Sequence, residues 1–101
     1  MKNSNFGNMG GNMQQMMRQA QEAQKQIEKI KAELAETSVE ASSGGGMVTV
    51  ELSGNYELIN MRIKPEAVDP DDVEMLEDLI IAATNEALNQ VTALRTEKLP
   101  L

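Results

Sequence analysis

The sequence predicts an α+β domain of 101 residues, ordered helix, three strands, helix, with the strands in one antiparallel sheet. Three observations predict it. Apolar residues recur at alternating spacings of three and four from Met13 to Leu34. They alternate with polar residues between Thr37 and Lys64, and they return to helical spacing after the Asp69-Pro70 pair.

The opening MKNSNFGNMGGNM is rich in Asn, Gly and Met and has no period, so residues 1–11 are expected to form a flexible arm ahead of a single domain over 12–101. From Asn12 the pattern changes. Met13, Met16, Ala20, Ala23, Ile27, Ile30 and Leu34 form a seam of coiled-coil type, and the other faces are Gln, Glu, Lys and Arg. A helix over 12–36 would be roughly 37 Å long, as long as a compact domain of this size is wide. It must project beyond the body or lie along a partner.

The strands are expected in TSVEAS, MVTVELS and YELINMRIK, spanning about 37–64. Val48, Val50 and Leu52 alternate with Thr49 and Glu51; Ile59, Met61 and Ile63 alternate with Leu58, Asn60 and Arg62. Gly54-Asn55 reads as a two-residue type II′ hairpin turn. SSGGG, residues 42–46, reads as a mobile hairpin loop. A phosphate-binding loop would need a following Lys and Ser or Thr at the start of a helix, whereas Gly46 runs into Met47 and a strand.

The last helix is expected over about 70–96. Asp69 reads as its N-cap, Pro70 as its first residue, and Asp72 as the return arm of a shortened capping box. Asp71, Asp72 and Glu74 then sit where the helix dipole favours carboxylates. Glu77 and Asp78 fall opposite the apolar stripe of Leu76, Leu79, Ile80, Ala83, Ala87, Val91 and Leu94. The acids lack the spacing of a calcium loop and have no aromatic surroundings, so they read as a helix start and a charged outer face. Outside that stripe stand Ile81 and Leu88, with Met75 and Thr84 near them. A helix apolar on two sides wants a second surface, here a second copy around a two-fold axis, with Met75, Ile81 and Leu88 in the interface.

Composition narrows the function. With no Cys, His or Trp, the chain has no thiolate nucleophile, imidazole base or disulfide, and no metal site built on His or Cys. No enzyme activity, cofactor, metal or small-molecule substrate is expected. No run approaches the length needed to cross a bilayer and the N-terminus lacks a secretory segment, so a cytoplasmic protein without a membrane partner is expected. The net charge is −7, but unevenly placed. Residues 1–36 carry five bases against four acids, whereas residues 65–101 carry nine acids against Arg95 and Lys98 alone.

NFGNMGGNMQQMMRQAQEAQKQIEKIKAELAE, SSGGGMVTVELSGNYELINMRI and above all LEDLIIAATNEA resemble the bacterial YbaB/EbfC nucleoid-associated proteins, over nearly the whole chain. The resemblance implies an α-β-β-β-α protomer that dimerises through its sheet and C-terminal helix, with the long first helices protruding like tweezers. It also implies binding of double-stranded DNA, non-specific or weakly selective, in the cytoplasm and nucleoid, with a role in nucleoid organisation and gene regulation. Such proteins commonly continue into a Gly- and Met-rich tail, whereas this sequence stops at RTEKLPL.

On that reading the DNA contacts are expected from Arg18, Lys25 and Lys29, which share one flank of the first helix beside Gln14 and Gln15. Arg95 and Lys98 are secondary candidates. The flank is interrupted by Glu22, and without the resemblance it would read as an ordinary solvated face. An alternative is a protein-binding adaptor or holdase that uses Met9, Met13, Met16 and Met17 as an adaptable apolar surface. RNA binding is disfavoured, because Phe6 and Tyr56 are the only aromatic residues and offer no platform for stacked bases.

Overall fold

The computed structural model describes the backbone of residues 2–100 and the side chains of residues 11–100. Helix α1 (Lys2–Glu36) leads into strands β1 (Ser38–Ser43), β2 (Val48–Ser53) and β3 (Leu58–Ile63), then a 3-10 turn (Pro65–Ala67) and helix α2 (Val73–Lys98). The strands form one antiparallel sheet in chain order. The expected α-β-β-β-α architecture is therefore the observed one. The molecule measures 84 × 20 × 17 Å, because α1 stands away from the body.

α1 is helical from Lys2, so the segment expected as a flexible arm has helical backbone over 2–11; the side chains of residues 1–10 lie outside the described residues. The core lies where α2 crosses the sheet. Ala41, Val48, Val50 and Leu52 from the strands meet Ala83, Ala87 and Val91, with Leu76, Leu79, Ile80 and Leu88 at the margin. The three small or β-branched residues of α2 recur at intervals of four, so one strip of the helix sits close on the sheet. α2 covers β1 and β2 and hardly touches β3. As a result Leu58, Ile59 and Ile63 remain exposed on the outer strand.

Two local expectations are corrected. The N-cap of α2 is Asp72 instead of Asp69: its carboxylate accepts from the Met75 amide at 3.2 Å, and the helix starts at Val73. The Asp69 carboxylate instead accepts from the Asp71 amide at 3.0 Å, and its carbonyl accepts from Asp72 at 2.9 Å, so the Asp-Pro pair builds a separate turn ahead of the helix. The second hairpin is not a two-residue type II′ turn. Tyr56 donates to the Ser53 carbonyl at 3.0 Å, and Ser53 to the Glu57 carbonyl at 2.8 Å, with Tyr56 at φ 65°. That is a three-residue loop, a turn closed by a left-handed residue, and a bulge beside Leu52 shifts the register of β3. Leu88, expected on a second apolar face, is half-buried against the core.

The glycine loop serves conformation and fit. Gly44, Gly45 and Gly46 all take positive φ, and a Cβ on Gly44 would lie 2.8 Å from a Leu79 methyl of α2. Ser43 fastens the same end of the loop by donating to the Leu79 carbonyl at 2.6 Å.

Candidate nucleic-acid interface

The site is built on α1. Every described residue from Gly11 to Gln26 is exposed, and the helix becomes buried only at Leu34. At about 100° per residue, Arg18, Lys25 and Lys29 fall within one narrow sector, roughly opposite the seam of Met13, Met16, Ala20, Ala23, Ile27 and Ile30. The three span about 16 Å along the axis, from eleven residues at about 1.5 Å each. Gln14 and Gln15 flank the same sector. Among the described residues no carboxylate forms an ion pair with any of the three cations; the ion pair present joins Arg62 to Glu40 across the sheet. Glu22, Lys25, Gln26 and Lys29 line one shallow groove, so the interrupting acid lies within the cationic row.

The secondary candidates are placed differently from each other. Lys98 is exposed near the end of α2. Arg95 is half-buried: its Nη1 donates to the Gly54 carbonyl at 2.9 Å and to Asn55 Oδ1 at 3.0 Å, and its guanidinium stacks over the Tyr56 ring, 5.4 Å from the centroid. The structure therefore brings Arg18, Lys25 and Lys29 together, leaves Lys98 apart, and engages Arg95 with the β2–β3 hairpin.

The acids of 69–78 do not converge. Asp69 and Asp72 are occupied with backbone amides, and among the described residues no three carboxylates group closely enough to hold a metal ion. No helix among those residues is long and apolar enough to cross a membrane. Of the expected interface residues, Ile81 and Met75 are 56% and 40% exposed. Sequence reading did not single out Leu58 and Ile59, which are 57% and 53% exposed. The available signal was two adjacent apolar residues in one strand, which cannot both face a core under strict alternation.

A model of the YbaB/EbfC DNA-binding family matches residues 9–100. The chain belongs to the YbaB/EbfC DNA-binding family. Its similar relatives include a nucleoid-associated protein of Alkaliphilus metalliredigens, 57% identical over 87% of this chain and 79% of the relative. Another, from Acetivibrio thermocellus, is 48% identical over 98% of this chain and 88% of the relative. An uncharacterized Helicobacter pylori protein of known crystal structure shares the fold, with a TM-score of 0.76 over 82% of this chain and 87% of its own, at 24% identity. The family is named for DNA binding, and phosphate is the partner that exposed cations such as those of α1 attract.

Proposed function

We propose that the protein is a homodimeric nucleoid-associated protein of the bacterial cytoplasm that grips duplex DNA between its two α1 helices, with little sequence preference. Nucleoid organisation and gene regulation follow from such binding; no cofactor or catalysis is involved. The observation that carries this reading is the row of Arg18, Lys25 and Lys29 on a helix that stands clear of a strongly acidic body. The body repels the duplex and the arms attract it, so contact is confined to the arms, with Gln14 and Gln15 as neighbouring donors and Lys98 as a peripheral cation. Contacts of this kind position the protein on phosphate without reading bases.

The two-fold partner is supported by unfinished apolar cover. α2 leaves β3 open, and Leu58, Ile59, Met75 and Ile81 are exposed apolar side chains that a second copy would cover, with Leu88 half-buried at the core margin.

Fluorescence anisotropy with unrelated duplexes over a range of salt tests the DNA reading. Three phosphate contacts per protomer give a slope of log affinity against log salt of about −5 for the dimer. The Arg18→Ala, Lys25→Ala, Lys29→Ala variant should bind all duplexes more weakly and with a flatter slope, while remaining dimeric. Unaltered affinity and slope would put the DNA site elsewhere. A second reading, a protein-binding adaptor or holdase, is favoured by one observation: Met13, Met16 and Met17 are more than 60% exposed on an uncovered helix. Such a protein would ignore duplex at every salt concentration.

A further inference from the structure

α1 joins the rest of the protein through its last turns alone. Leu34 is its only buried side chain among the described residues. The Gly54 amide donates to the Leu34 carbonyl at 3.0 Å and the Thr37 carbonyl at 2.9 Å, and Asn55 Nδ2 donates to the Lys31 carbonyl at 3.3 Å. The arm thus hangs on the β2–β3 hairpin loop. That loop is held in turn by α2. Arg95 Nη1 donates to Gly54 and Asn55 together, the guanidinium lies over Tyr56, and the Tyr56 hydroxyl is 2.6 Å from Thr92 Oγ1. Tyr56 occupies a left-handed conformation that a bulky residue rarely adopts, and it holds this only because its surroundings determine it.

We propose that Arg95 is a positioning residue for DNA binding: it fixes the direction of the α1 arms through the hairpin and does not itself contact phosphate. The proposal rests on the arm reading above. Asn55 is the coupling element, since one side chain accepts from Arg95 and donates to α1. Leverage makes the joint consequential. Arg18 is sixteen residues from Leu34, about 24 Å along the axis at about 1.5 Å per residue. A tilt of roughly 15° at the joint carries Arg18 by about 6 Å, nearly twice the axial rise of about 3.4 Å per phosphate of one strand. A loose joint therefore spreads the cations over orientations that miss the backbone. Lysine cannot replace arginine here, because an ammonium on a flexible stem has neither the planar fork nor the stacking face.

The absence of cysteine makes a direct measurement possible. Spin labels on Gln19→Cys in the arm and Glu66→Cys in the body, in protomers diluted with unlabelled chain, report the arm-to-body distance without DNA. Duplex affinity is then measured against salt. In Arg95→Lys the distance distribution should broaden. If each arm is binding-competent about one third of the time, affinity for every duplex falls about tenfold in the dimer. The salt slope should stay at its wild-type value, because no phosphate contact is lost. Asn55→Ala, which alters an exposed loop and leaves the Arg95 charge in place, should reproduce both effects and carries the test if the arginine variant fails to fold.

Wild-type affinity in Arg95→Lys would overturn the proposal. So would a slope shallower by about 1.8 in Arg95→Ala, since that is the loss of one phosphate contact per protomer. An unbroadened distance distribution in both variants would also overturn it. If the wild-type protein bound no duplex, the arm reading would fall on that result, while the label distances would still decide whether Arg95 sets the arm.

Discussion

Replacing Gly54 by alanine should be the most damaging glycine-to-alanine change among the described residues. A Cβ there would lie 2.5 Å from the Leu34 carbonyl oxygen and 2.9 Å from Leu34 Cβ, where ordinary contact begins at 3.4 Å. The obstacle is the last turn of α1, not the free end of a side chain. Leu34 must therefore retreat by about 0.9 Å, and the two hydrogen bonds from the Gly54 amide stretch with it. Overpacking costs about 1–3 kcal/mol and each weakened bond about 1 kcal/mol, against about 0.5 kcal/mol regained from a stiffer unfolded chain. The net loss is about 3 kcal/mol. With a urea dependence of about 1.5 kcal/mol per molar, the unfolding midpoint should fall by about 2 M at equal protomer concentration. Gly45→Ala is the comparison. It meets nothing within 4 Å but sits at φ 67°, so it carries only a conformational penalty of about 1 kcal/mol. Equal midpoints for the two variants, or a Gly54→Ala midpoint within about 0.3 M of wild type, would refute the steric reasoning.

Two other outcomes are expected. Lysine at both Ile59 and Ile81 would place unpaired charges in the proposed two-fold interface, and sedimentation should show the dimer dissociating or its threshold concentration rising at least tenfold; an unchanged dimer removes these residues from the interface. Glu77→Gln with Asp78→Asn should leave fold and oligomer unchanged and DNA binding equal or slightly stronger, and calorimetric titration with magnesium or calcium should give no stoichiometric heat. Micromolar metal binding lost in that variant would show the acids to be ligands.

What sequence made legible was what repeats. The seam from Met13 to Leu34 and the alternation of Val48, Val50 and Leu52 are local periods, and both elements formed where those periods lie. The errors fell where a distant or competing contact decided the outcome. Gly54 looked like a turn residue needing a special backbone angle; its smallness instead admits the end of α1. Asp69 and Asp72 are both good caps, and the local turn closed by Asp69 handed the helix to Asp72. The cationic row of α1 could be read because seven- and four-residue spacings share a helix face. The engagement of Arg95 could not, since its acceptors lie forty residues away and no periodicity links them.

The sheet follows chain order, so each strand pair closes over a short loop and the body can assemble from neighbouring segments without a long search. The arm has a different history. It precedes in the chain the sheet that receives it, and its anchor at Gly54 arrives only with the second hairpin. The arginine that braces that anchor follows it by 41 residues, in α2. A nascent protomer can therefore hold a finished helix long before that helix has a direction, and α1, made ahead of the strands and α2, is aimed only after them.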